Sequence, residues 1–210
     1  MKDIVVKTMG NKLGTMVAHR TGQPHQGELL SFGAEIIIGC SIKLVFLFLL
    51  SSVFGVVRET FLILFVTGFL RTFSGGAHCN SYYKCLMVSS FVILGLSITV
   101  SRLESYLIHL PQYIILLVLL LSLILFLIYS PKAPLNKPLK NEAEKKKFWL
   151  LSILSAALFS FFVLKTGSKN IGSWLIAAGL LWQAFTLTPA GFHFIELFNL
   201  FKQEGGVDNV

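Results

Sequence analysis

Long apolar runs separated by short polar islands set the pattern of this chain. The first covers about Phe32 to Val57, with Glu35 near one end and Lys43 inside it. Arg58 and Glu59 interrupt, and a second run, TFLILFVTGFL, offers only 11 residues before Arg71. As a helix that run rises roughly 16 Å, against a bilayer core of about 30 Å. It crosses only by borrowing its neighbours, or if the polar segment after it dips below the lipid surface. A third run goes from Cys85 to Ser101 and a fourth from about Tyr113 to Tyr129. A fifth covers Phe148 to Leu164, and a sixth about Ile171 to Leu187, ending at Pro189. Several of these approach or exceed the ~17–25 residues that a helix needs to span a bilayer. The pattern predicts an all-α, polytopic integral membrane protein of about six membrane helices, with no internal repeat or heptad.

Residues 1–31 behave differently. Ile4, Val5, Met9, Leu13, Met16 and Val17 recur at helical spacing with lysines among them, which predicts an amphipathic helix lying on the membrane surface. Gly10 and Gly14 weaken that helix, and a loosely ordered basic tail is the alternative. The stretch lacks the compact apolar block of a signal peptide.

Composition sharpens the class and adds orientation. Only 13% of the 210 residues are charged, 54% are hydrophobic and the mean hydropathy is +0.74, whereas soluble domains carry about 25% charge. The chain reads as a single domain, 1–210. Its net charge of +8 sits mostly on loop lysines, so it reports on membrane topology and not on a nucleic-acid partner. The loop 130–147 carries six lysines against Glu142 and Glu144, the strongest positive bias of any connection, and is expected to be cytoplasmic. Counting crossings in both directions then puts the polar segment 71–85 and both chain ends in the cytoplasm. Lys165 and Lys169 argue weakly against this arrangement.

The segment RTFSGGAHCNSYYKC, Arg71 to Cys85, holds more chemistry than a connector needs. Gly75 and Gly76 permit a tight turn and can present adjacent amide N–H groups. Asn80 or Ser81 can cap a helix running through Tyr82 and Cys85 into the third span, which places Cys85 in its first turn and a half. There the helix dipole favours a thiolate. His78 lies seven residues before Cys85, about 10.5 Å along a continuous helix and leaning away from it. A histidine base therefore reaches that thiol only if His78 sits in the glycine turn and folds back over the helix start. Cys79 is a second candidate nucleophile. A zinc site of His78, Cys79 and Cys85 lacks the usual paired-cysteine spacing. An odd count of three cysteines does not suggest a disulfide framework, and Cys40 reads as a small buried apolar residue. His19, His25, His109 and His193 lie where they meet solvent or headgroups.

Arg71, Gly75, Gly76, His78 and Cys85 resemble the signature of the accessory gene regulator B (AgrB) family, membrane peptidases of Gram-positive peptide quorum sensing. The run YSPKAPLNKPLKNEAEKKK resembles the family's tyrosine–proline turn, Asn-Lys-Pro and basic stretch. The resemblance extends over essentially the whole chain, while Cys79 is a thiol additional to the motif.

That resemblance implies a cysteine endopeptidase, without cofactor or metal, in the cell membrane and as a homodimer. It implies an AgrD-like propeptide as substrate, cut before its acidic C-terminal part. The upstream part is then held as an acyl-enzyme thioester and released as a thiolactone or lactone ring. Cys85 would be the nucleophile and His78 the general base, then the acid for the leaving amine. The only aspartates, Asp3 and Asp208, are at the chain ends, so a dyad is expected, with Asn80 or a backbone carbonyl orienting His78. The Gly75 and Gly76 amides are candidates for the oxyanion hole. Arg71, Lys132, Lys137 and Lys140 would attract the acidic tail, although membrane orientation alone also accounts for the loop lysines. The rival classes are a small carrier or exporter using Glu35, Lys43 and Glu59 as a path, and an inert membrane scaffold.

Overall fold

A computed structural model describes residues 2–21, 27–77, 79, 82–132 and 141–200. Among these the secondary structure is helical: α1 (Lys2–Arg20), α2 (Gly27–Phe54), α3 (Val57–Ser74), α4 (Tyr82–Arg102), the single turn α5 (Glu104–Leu107), α6 (Gln112–Tyr129), α7 (Glu142–Thr166), α8 (Ile171–Leu187) and α9 (Pro189–Leu200). The all-α, polytopic membrane class holds. By length and apolarity α2, α4, α6 and α7 can each cross a bilayer, and α8 with the first residues of α9 makes a fifth candidate, bent by 85°. The short second run is extended at both ends into α3, which has 18 residues and rises roughly 27 Å with Arg58, Glu59 and Arg71 in its end turns, but α3 is not among the helices apolar enough to cross.

The bundle closes around α8. Of its side chains Trp174, Leu175, Ile176, Ala177, Leu180, Ala184 and Leu187 are buried, so protein surrounds it on nearly every face. Against it pack Ile63, Val66 and Leu70 of α3, Ile115, Leu119 and Phe126 of α6, and Ala156 and Val163 of α7. With the buried Ser122, the α6 positions recur every three or four residues, which marks one inward face, while Leu117, Leu120, Leu121 and Ile128 point outward as lipid-facing groups do. On α7 the inward face is small and hydroxylic: Ser152, Ser155, Ala156 and Ser160. Small residues let helix backbones approach closely where lipid supplies no hydrophobic drive, and each of these serines satisfies its hydroxyl on a carbonyl of its own helix.

The N-terminal segment is helical, as expected, and it also packs along α2. Gly10 and Gly14 lie at the contact with α2, where an added Cβ would come within 2.3 Å of the Ser31 backbone at Gly14 and 2.2 Å of the Glu35 Cγ at Gly10. With Ala18 over Gly27, these contacts define an antiparallel hairpin of α1 and α2. The glycines that lower helix propensity are the ones that let the two backbones meet. Met9, Leu13, Met16 and Val17 stay about half exposed on the other side, so the apolar stripe remains open and the small-residue stripe docks.

Pro189 ends the sixth run as expected, but it also opens α9. Trp182 and Phe185 of α8 each stand 6.0 Å from Phe194, ring to ring, which secures the bend.

Candidate active site

The island begins where α3 stops. Gly75 caps α3 with φ +69° and donates its N–H to Arg71 O at 3.0 Å, and Gly76 follows at φ +130°. L-residues avoid both conformations. Space forbids side chains as well: a Cβ on Gly75 would stand 2.0 Å from Lys132 O, and one on Gly76 2.9 Å from Thr186 Oγ1.

These close approaches exist because two distant segments grip the turn. After α6 the chain extends through Pro131, and the Lys132 N–H donates to Ser74 O at 2.9 Å, pairing Gly75 and Lys132 in a single parallel bridge. From α8, Gln183 Nε2 donates to Ser74 Oγ at 3.0 Å and to Gly75 O at 2.8 Å. The side chain of Gln183 is 1% exposed. Ala77 N–H then donates to Thr186 O at 3.1 Å. A buried amide in an apolar helix must find partners, and Gln183 finds them on the island.

Charge gathers on the other side. Arg71 Nη2 donates to Ala77 O, so the guanidinium braces the island from α3. The charges of Arg71 and Lys43 both act on Cys85, and they act on each other. Counted from the helix ends that flank the turn at Gly55, Lys43 lies about 16 Å back along α2 and Arg71 about 21 Å along α3. A lysine leans toward the N-terminus of its helix, and its stem makes up that difference. Cys79 closes the cluster: its side chain is in hydrogen-bond contact with Cys85. That bond, burial and the neighbouring Cys85 charge push the Cys79 thiol well above the ordinary range, against the pull of Arg71 and Lys84.

Arg71, Gly75, Gly76, Lys132 and Cys85 therefore gather around one turn. Lys132 sits there by its backbone, while its ammonium lies 6.0 Å from the ring centres of Tyr129 and Phe192. The Gly75 amide is committed to the α3 cap, which narrows the oxyanion candidate to Gly76. His78, Asn80, Ser81, Lys137 and Lys140 lie outside the described residues, and so does the zinc alternative, which needs His78. Cys40 is exposed on the outer surface of α2 and not buried as expected. His19, His109 and His193 are exposed, as expected. The charges considered as a transport path are scattered: Glu35 packs over Gly10, Glu59 sits in the first turn of α3, and Lys43 faces Cys85. Sequence reasoning missed Gln183 and Thr186, and weighed Lys43 only as part of a transport path. The available signal was a lone amide and a lone cation inside otherwise apolar helices.

The profile of the family Accessory gene regulator B matches residues 7–187. The chain belongs to the Accessory gene regulator B family. That match runs from within α1 to the last residue of α8, so it takes in α3, Lys132 and Gln183 together with Cys85. The chain is 25% identical over 175 residues to an AgrB-like protein of Clostridium perfringens, covering 78% of this chain and 82% of that one. It is 28% identical over 150 residues to Protein FsrB of Enterococcus faecalis, covering 70% and 59% respectively. With the Accessory gene regulator protein B of Staphylococcus aureus it shares 24% over 147 residues, 70% of this chain and 74% of the other. No solved structure matches. Membership of this family ties the chain to accessory gene regulator quorum sensing.

Proposed function

We propose that this AgrB-family protein is a membrane cysteine endopeptidase that cuts a quorum-sensing propeptide and cyclises the upstream part. Cys85 is the nucleophile, and His78 takes its proton and passes it to the leaving amine. One observation carries the reading: the chain at Cys79 comes back to touch Cys85 at the start of α4. A fold-back of this kind is what the neighbouring His78 needs in order to reach Cys85. Lys43 and Arg71 add positive charge beside that sulfur, which favours the thiolate that attacks.

The acyl group of the propeptide passes to Cys85 as a thioester, and the C-terminal fragment leaves. A thioester keeps the acyl group activated, so transfer to an internal thiol or hydroxyl closes the ring with little change in free energy. A half-buried site at the membrane interface disfavours the competing water. The Gly76 amide is the oxyanion candidate. Arg71, Lys132, Lys137 and Lys140 form the positive surroundings for the acidic tail. The protein works in the cell membrane as a homodimer, with the island on the cytoplasmic side, where a ribosome-made propeptide arrives.

The deciding experiment co-expresses a candidate propeptide, sought as a short reading frame beside this one, with the wild type and with Cys85→Ala. Loss of cleavage in an inserted Cys85→Ala protein is expected. Cleavage that survives Cys85→Ala and disappears in Cys79→Ala would move the nucleophile to Cys79. Cleavage that survives both would end the cysteine-peptidase reading.

A further inference from the structure

Peptide cleavage through Cys85 uses one thiol, yet the island brings two together. The side chains of Cys79 and Cys85 are in hydrogen-bond contact, neither is in a disulfide, and both are partly exposed. Lys43 on α2 and Arg71 on α3 direct positive charge at Cys85 from two helices. We propose that Cys79 and Cys85 form a reversible oxidation site, in which a hydroperoxide converts Cys85 to a sulfenic acid and Cys79 resolves it to a disulfide.

The chemistry balances on these two sulfurs. The Cys85 thiolate attacks the terminal oxygen of the hydroperoxide; an S–O bond forms, the O–O bond breaks, and the departing alkoxide or hydroxide takes up a proton. Cys85 has then lost two electrons and the peroxide has gained them. The Cys79 sulfur attacks the Cys85 sulfur, the S–S bond forms, and the hydroxide leaves as water with the proton that Cys79 gives up. A cellular dithiol reverses the step by thiol–disulfide exchange. Arg71 acts on both sulfurs, Lys43 on Cys85 and Lys84 on Cys79, but only Cys85 of the two lies in the first turn of α4, where the helix dipole favours the thiolate. Cys85 is thus the sulfur oxidised first and Cys79 the resolving one. A resolving thiol already in contact captures the sulfenic acid before a second peroxide drives it to the irreversible sulfinic acid. The consequence for processing rests on the peptidase reading: with its sulfur in the disulfide, Cys85 cannot attack a propeptide.

The test is independent of activity. The full-length protein, carrying Cys40→Ser to remove the remote thiol, is reconstituted in vesicles, treated with hydrogen peroxide, blocked with an alkylating agent and digested with trypsin. Trypsin cuts after Arg71, Lys84 and Arg102, so a Cys79–Cys85 disulfide joins peptides 72–84 and 85–102 into one species. Its mass is their sum less the two thiol hydrogens, and a dithiol reductant separates them. The linked species is expected with peroxide, together with recovery of both alkylated thiols after reduction. In Cys79→Ser, Cys85 is expected to accumulate instead as sulfinic and sulfonic acid. Failure to link the peptides, with Cys85 overoxidised equally fast in both proteins, would overturn the proposal. A linked species in a protein that never cleaves a propeptide would sink the peptidase reading and leave this site standing.

Discussion

Gln183→Met tests whether the island is held in place from α8. Methionine is close to glutamine in shape and length but has no N–H to give. The wild-type amide donates to Gly75 O at 2.8 Å and to Ser74 Oγ at 3.0 Å. Ser74 loses little, because its hydroxyl keeps its own bond to Leu70 O at 3.0 Å. The Gly75 carbonyl is left with a thioether and only the long 3.4 Å contact from the Ser74 hydroxyl, which is already committed to Leu70 O. An orphaned buried acceptor costs about 1–3 kcal/mol, and because Gly75 is half-buried the lower part of that range applies, about 1–2 kcal/mol. If that loss falls on the closed turn, at ~1.36 kcal/mol per tenfold, cleavage slows by roughly 5- to 30-fold.

Single-turnover cleavage of the propeptide in vesicles, normalised to inserted protein, gives the number directly. Gln183→Glu should be worse than Gln183→Met, since it sets a carboxylate against the Gly75 carbonyl. Ser74→Ala should cost less than either, since the bond to Gly75 remains. A Gln183→Met protein that cleaves at the wild-type rate would refute the claim that α8 positions the turn. So would equal losses in all three variants, which would point to general damage to packing.

Other expected outcomes follow from the same geometry. His78→Ala should abolish cleavage as fully as Cys85→Ala, and the double variant should be no worse than either, because residues acting as a unit are not additive; additive losses would assign His78 to binding or folding. Lys43→Met should slow both cleavage and iodoacetamide labelling of Cys85, while Lys43→Arg retains most of each; unchanged labelling in Lys43→Met would remove Lys43 from the site. The Cys79 thiol is raised chiefly by its bond to Cys85, so Cys79 should label only at high pH. Cys85→Ala should move that labelling profile to lower pH, and a profile that does not move would show that the thiols do not meet. A membrane-impermeant thiol reagent should miss Cys79 and Cys85 in intact cells and reach them after permeabilisation, and labelling from outside would reverse the orientation.

Much of the fold was legible because lipid imposes a simple rule on sequence: spans are long and apolar, and charges collect between them. What the runs did not reveal is which face meets protein and which meets lipid. Leu119 is 2% exposed and Leu120, the next residue, is 46% exposed. Nothing in their chemistry separates them, since both environments are apolar. Small residues carried the missing information, in the serine face of α7 and in the Gly10–Gly14 stripe of α1, where propensity alone reads as weakness.

The same rule explains why the site was half visible. The residues of the island stand together in one stretch and could be read as a motif, but the groups that hold it are Lys132, Gln183 and Thr186, from 57 to 109 positions away from the residues they contact. Hydrophobic periodicity does not register such contacts. A different signal does. Placing a lysine at the centre of a spanning helix costs about 2.5–3.5 kcal/mol on insertion scales, and a buried amide without partners costs about 1–3 kcal/mol. A chain that keeps both Lys43 and Gln183 inside apolar helices must offset those costs where each finds its partners. Lys43 finds Cys85, although Arg71 nearby repels it, and Gln183 finds Ser74 and Gly75. Two polar residues from helices at opposite ends of the chain act on the two ends of one short segment, Lys43 on Cys85 and Gln183 on Ser74 and Gly75. That convergence makes the segment 71–85 a polar centre of the bundle without reference to any motif.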